Sequence, residues 1–212
     1  MTTPSSPLVI GSSSVPLGLA GVISGDGGVA ITPGGSATLS GTNTYTGATT
    51  VSGGYLALVG PGSISASSSV NVSAGGIFDI SGVTLPGGAV IQSLSGASNG
   101  TVYLGANTLT LSNASGSYAG ILYGSGGLTL NGGVETLSGI DAYGGATTVN
   151  GDFLVVNGVL TGTSNVTVNA GGALGGDGII DPPAVTIASG GTLAPGKPGV
   201  AGSGMMIIGD LS

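Results

Sequence analysis

Histidine, cysteine and tryptophan are absent from the 212 residues, and Lys197 is the only basic side chain. Without histidine or cysteine there is no Ser-His-Asp or Cys-His site, no His-ligated zinc, no thiolate metal site and no disulfide. One lysine cannot make the basic patch that displaces counterions from a nucleic acid, nor the one that holds an anionic membrane surface. No apolar run reaches membrane-spanning length; one of the longest near the end is Met205-Met206-Ile207-Ile208. The first residues, MTTPSSP, lack the basic and apolar regions of a signal peptide, so any export signals are expected outside this sequence. Against one lysine stand eight acids, giving a net charge of −7. Solvent-facing positions must therefore be filled with Ser, Thr, Asn and Gly, a neutral surface suited to a cell exterior or a fibre.

What is present is glycine, with 47 residues, and short apolar groups within a 40% hydrophobic composition. Disordered chains have too little apolar surface to fold, so this chain reads as folded. Residues 39–58, LSGTNTYTGATTVSGGYLAL, align without gaps with residues 137–156, LSGIDAYGGATTVNGDFLVV, at an offset of 98. The match extends to 70–76, VNVSAGG, against 166–172, VTVNAGG, and to 27–31, GGVAI, against 126–130, GGLTL. A shorter period lies inside these copies. Ile31, Val51, Val72, Ile91, Leu111, Leu130, Val149, Val168, Ile187 and Ile207 follow one another at steps of 19 to 21. Glycine follows most of them (Gly34, Gly53, Gly75, Gly133, Gly151, Gly171, Gly190 and Gly209), but not Ile91 or Leu111. A second ladder runs Leu39, Leu58, Phe78, lapses, and resumes at Leu137, Val156, Leu174 and Leu193. Groups such as TTV, VNV and VTV are alternating and β-branched, which suits strands, and the glycine pairs forbid long helices. The period predicts an all-β solenoid, a coil of parallel strands with about 19–20 residues per turn. The ten ladder residues are expected on one inward face, with glycine at the corners, where positive φ is needed.

The L-S-G-x-x-x-Y-x-G-A-T-T-V-x-G-x-[YF]-L block resembles the autotransporter-associated β-strand repeat, or passenger-associated transport repeat. Residues 185–196, VTIASGGTLAPG, are similar to the segment that commonly follows it. The resemblance implies a right-handed parallel β-helix on a Gram-negative surface, exported through an outer-membrane barrel. No barrel sequence is present, and Asp181-Pro182-Pro183 falls where a strand is expected. The sequence divides into an N-terminal segment or edge cap over 1–18 and a solenoid over 19–212. The solenoid contains long repeats at about 20–81 and 119–177 and a C-terminal repeat segment.

Of the acids, Asp141 and Asp152 are the most plausible carboxylate pair of the kind that cleaves polysaccharides on β-helices. Both are assigned to turns, where Asp is favoured for backbone reasons, and no catalytic residue is predicted. GGDGIID at 175–181 echoes a calcium-binding nonapeptide, but Ile180 holds the usual acidic position and no metal site or cofactor is expected. Gly25-Asp26-Gly27-Gly28 and Gly124-Ser125-Gly126-Gly127 read as corners rather than phosphate loops. Tyr45 and Tyr143 occupy matched positions, as do Tyr55 and Phe153, and read as packing aromatics, with a sugar-stacking platform as the alternative. The sequons at Asn71, Asn99, Asn113 and Asn165 matter only in a glycosylating host, and Asn71 and Asn165 are placed between inward-facing strand residues. The expected function is a non-enzymatic extracellular passenger stalk or scaffold. The alternative is a fibre subunit polymerising end to end through open strand edges, and an adhesin or polysaccharide-active protein ranks third. Expected partners are copies of the chain or the remainder of a longer passenger, with surface glycans a further class; nucleic acid and membrane insertion are not expected. Pro4 and Pro7 would blunt the N-terminal edge, while Met205 to Ile208 would leave the other end apolar.

Overall fold

A computed structural model describes residues 2–3, 5–196 and 206–208. Lys197, Met205, Gly209 and Asp210 therefore lie outside the described residues. The chain is all-β, a parallel β-solenoid of about 9 turns with no helix among the described residues. Its strands are two to seven residues long. That is what glycine-bounded β-branched triplets allow, because each strand ends where the chain must turn onto the next side.

Four long sheets run along the coil, and Thr2–Thr3 makes a fifth, two-stranded parallel sheet with Ser24–Gly25. A ten-stranded sheet extends from Leu17–Leu19 to Ile207–Ile208 and forms one continuous side. A five-stranded early sheet runs from Leu8–Ile10 to Leu94–Ser95, and a five-stranded late sheet from Ser117–Tyr118 to Thr192–Pro195. A bridge between Gly96 and Tyr118 joins them. A six-stranded sheet from Ala89–Ile91 to Val185–Ile187 forms the remaining side. Every strand pair in these sheets is parallel, so each rung hydrogen-bonds to the next along the axis. The triplets alternate inward and outward: Leu128–Leu130, Thr147–Val149 and Val166–Val168 each bury their first and third residues. One apolar cluster runs the length of the coil, from Ile10 to Val185, with Leu193, Met206 and Ile208 packed against it.

Nine of the ten ladder residues form inward columns, but on two sides rather than one. Ile31, Val51 and Val72 stack in the early sheet, preceded by Ile10. Ile91, Leu111, Leu130, Val149, Val168 and Ile187 stack in the six-stranded sheet. Ile207 does not join either column: its strand pairs it with the exposed Ile179 in the ten-stranded sheet. The break falls between Val72 and Ile91. There the rung lengthens: Val70 pairs with Leu94 and Phe78 with Val102, each 24 residues on, whereas Leu109 pairs with Leu128 only 19 on. The additional residues supply the strand Ala89–Ile91, which opens the six-stranded side. As a result the two long repeat copies occupy different sides. Leu39 lies in the ten-stranded sheet and its counterpart Leu137 in the late sheet; Val51 lies in the early sheet and Val149 in the six-stranded one.

The second ladder slips in the same way. Leu39 stacks on Leu58, but Phe78 stacks on Leu56. Leu137 stacks on Val156, while Leu174 lies between Leu154 and Leu193. The solenoid also begins earlier than the boundary at residue 19, since Leu8–Ile10 and Leu17–Leu19 already pair with the next rung. Asp181-Pro182-Pro183 does not interrupt a strand. Ile179–Asp181 ends at Asp181, and the prolines occupy the bend before Val185–Ile187.

Six of the eight ladder-following glycines adopt positive φ: Gly34, Gly53, Gly75, Gly133, Gly171 and Gly190. Gly209 lies outside the described residues, and at Gly151 the left-handed residue is instead the neighbouring Asp152, with φ of 54°. Its carboxylate accepts the Gly133 N–H at 2.6 Å, which holds that conformation.

Candidate functional site

The repeat motif builds a buried hydroxyl relay twice. Tyr45 Oη meets Thr49 Oγ1 at 2.6 Å, Thr49 Oγ1 meets Ser67 Oγ at 2.9 Å, and Ser67 Oγ donates to the Gly47 carbonyl at 2.9 Å. In the second copy Tyr143 Oη meets Thr147 Oγ1 at 2.7 Å, Thr147 meets Thr163 Oγ1 at 3.1 Å, and Thr163 donates to the Gly145 carbonyl at 2.6 Å. A carbonyl can only accept, so Ser67 and Thr163 donate to it. The proton order then runs from each tyrosine to threonine and onward. All six side chains are buried. Burial pushes the Tyr45 phenol up to about 12, with Thr49 and Ser67 easing the penalty, and pushes the Tyr143 phenol higher still. These phenols stay protonated, so the relay is a packing device and not a sugar platform.

The same copies share a second internal device. Asn43 Oδ1 accepts the Ile23 N–H at 2.9 Å, and its Nδ2 donates to the carbonyls of Gly41 and Ser63. At the aligned position Asp141 Oδ1 accepts the Leu122 N–H at 2.9 Å. Asp141 is thus not in a turn. It lies in the strand Ile140–Tyr143, points inward, and occupies the core column between Leu122 and Leu160. A short polar side chain is needed there because it serves a backbone N–H of the preceding rung, which a hydrophobic residue would orphan. Loss of hydration raises its pKa to about 7, with the Leu122 amide opposing the rise. Asp152 is exposed at the start of a late-sheet strand, so Asp141 and Asp152 do not form a surface pair.

Glu135 is also fully buried. It stands in the late-sheet column below Gly116 and above Leu154. Neither carboxyl oxygen has a hydrogen-bond partner. Burial raises its pKa to about 8, although the nearby backbone amides of Leu94 and Gly116 pull in the other direction. In the sequence Glu135 looks like any polar residue between strands. Its inward position follows from alternation with Leu137 alone.

Among the remaining candidates, Ile180 is buried in the core column above Ile208, and the Asp177 N–H donates to Asn157 Oδ1. Among the described residues, no three His, Cys, Asp or Glu come together to hold a metal ion. Tyr55 is half-buried and donates to Asp79 Oδ2 at 2.5 Å, which also ties up that carboxylate. Phe153 is half-buried between Val134 and Ala173. Asn71 lies between inward-facing Val70 and Val72 and donates to Ser95 Oγ. Asn165 precedes its strand rather than lying within it and donates to Thr167 Oγ1. Met206 and Ile208 are half-buried against the core, while Met205 and the Ile207 side chain lie outside the described residues.

Two outward features are visible only once the register is known. On the six-stranded sheet Thr110, Thr129, Thr148, Thr167 and Thr186 form an outward column. Beside it Asn169 Nδ2 donates to Asn150 Oδ1 at 2.7 Å, and Asn150 Nδ2 to Asn131 Oδ1 at 2.8 Å, an amide ladder across three rungs. Its signal was present, since Asn follows Leu130, Val149 and Val168 directly. On the ten-stranded sheet the exposed rings of Tyr103 and Tyr123 stack with centroids 5.7 Å apart and planes at 21°. The two tyrosines are one period of 20 residues apart, but neither belongs to the two ladders or to the aligned segments of the long repeats.

Fold and interior together define a parallel β-solenoid whose polar groups mainly serve its own backbone. No protein-family model matches the chain, and no curated protein or solved structure matches it.

Proposed function

We propose that the chain is a non-enzymatic structural spacer, a passenger stalk or scaffold of a protein displayed at a bacterial surface. The observation that carries this reading is the unbroken ten-stranded parallel sheet from Leu17–Leu19 to Ile207–Ile208, which couples the rungs along the axis. The use of acids inside the molecule supports it. Asp141 serves a backbone amide of the core, Asp152 a corner and Asp79 a tyrosine, so these carboxylates are committed to the fold. The autotransporter-repeat resemblance of residues 39–58 and 137–156 supports the extracellular setting. The test is display: the chain, placed between a signal peptide and an outer-membrane barrel, should reach the surface and present an N-terminal epitope on intact cells. Retention inside the cell, or rapid cleavage throughout the chain by added protease, would contradict the proposal.

A second reading, a fibre subunit that joins end to end, is favoured by the first rung. Leu8–Ile10 and Leu17–Leu19 are outermost in their sheets among the described residues. Exposed Val9, Val15 and Leu17 line a groove there of about 470 Å³. Unpaired edges beside apolar surface invite a further strand, from another copy or from the remainder of a longer passenger. Sedimentation over a concentration series separates the cases: growing rods support the subunit, and a monomer at every concentration removes it.

A further inference from the structure

We propose that the step between Tyr123 and Ala142 on the ten-stranded sheet is a binding slot for one pyranose ring of a neutral saccharide. The outward column at this place reads Asp79, Tyr103, Tyr123, Ala142 on successive strands. Tyr103 has a ring neighbour on one side, and Asp79 is its register partner on the other. Tyr123 has Tyr103 on one side only. Its register partner on the next rung is Ala142, whose methyl group leaves the other ring face uncovered. The exposures agree: 36% for Tyr103 and 55% for Tyr123. The space where a third ring would stack is a groove of about 410 Å³, floored by Gly124, Ser125, Ala142, Gly144 and Gly162. That volume falls in the range of small-ligand sites.

The chemistry of the rim selects the occupant. A pyranose has a C–H face that packs on the negative face of a tyrosine ring, and a hydroxyl periphery that needs hydrogen-bond partners. Ser125 Oγ donates to the Gly105 carbonyl at 3.1 Å and keeps its lone pairs available, and the Tyr103 and Tyr123 hydroxyls stand at the exposed rim. An anionic sugar or a nucleotide is disfavoured by a chain with eight acids and one lysine. The slot does not depend on the stalk reading, and a stalk without it would still pass the display test.

The test uses the purified full chain and the neutral hexasaccharides of glucose, mannose and N-acetylglucosamine, followed by tyrosine fluorescence and calorimetry. At least one should bind saturably with a dissociation constant of about a millimolar. Y123A should weaken it by about tenfold or more with the melting temperature held, since that side chain is largely exposed. A142Y, which extends the aromatic column into the slot, should remove binding while keeping the fold. Absence of saturable binding by all three sugars would overturn the proposal, as would equal binding by Y123A. Tighter binding of N-acetyltryptophanamide than of any sugar would assign the slot to an aromatic side chain and overturn it too.

Discussion

Asp141 and Asn43 hold the same place in the two repeat copies and accept the same kind of bond, a backbone N–H from the preceding rung. The carboxylate adds a proton equilibrium that the amide lacks. Asp141 and Glu135 both titrate higher in the folded chain, at about 7 and about 8, than their ordinary values of 3.8 and 4.5. The folded state therefore binds protons more tightly than the unfolded one. The stability from these groups is fully present below about pH 4, falls as pH rises towards 8, and then levels off. Each group contributes a slope of at most about 1.4 kcal/mol per pH unit within its window. We expect the melting temperature to fall between pH 5 and pH 8. The D141N/E135L variant should melt higher at pH 8 and lose most of that dependence, because Asn43 and Leu154 show what each site accepts. An unchanged pH profile in the double variant would assign the dependence to other groups. The hydroxyl relay makes a second expectation. Removing one phenol in Y143F leaves Thr147 without its donor and should lower stability by about 1 kcal/mol in chemical denaturation.

At the scale of the strand and corner, the GATT motif explains its own glycine. A Cβ on Gly47 would lie 2.5 Å from the Gly27 carbonyl carbon, and one on Gly145 would lie 2.5 Å from that of Gly126. Consecutive rungs touch backbone to backbone there, so G47A or G145A must spread the rungs. Each should destabilise by about 1–3 kcal/mol, whereas A74G should be neutral or stabilising because Ala74 sits at φ 52°. Denaturant midpoints check both. Much at this scale was legible in the sequence: the triplets, their alternation, and the glycines at most corners. What was not legible was where register slips. Steps of 19 to 21 cannot distinguish a residue stacked on the next rung from one moved to a neighbouring side, and so Ile31 and Ile91 looked alike. Asp141 was misplaced for a related reason. Asp is a common turn residue, and only its alignment with buried Asn43, itself seen in the structure, reveals its inward direction.

Along the whole molecule, continuity is carried by one sheet while the other sides change hands. The longer rungs between Val70 and Val102 switch the coil from the early arrangement to the three-sheet one, yet the ten-stranded sheet passes through unbroken. In the proposed role as a spacer, the length of such a coil is set by its number of rungs. Leu128 pairs with Thr147 and Thr147 with Val166, so residues 128–165 comprise two complete rungs. Duplicating them in the surface-displayed chain adds two rungs and alters no other side chain. Energy transfer between a fluorophore at the N-terminal tip and a membrane dye would measure the height. The tip is expected to stay surface-exposed and to rise by about 10 Å, two rungs at about 4.8 Å each. An unchanged height, or a tip no longer exposed, would contradict the spacer role.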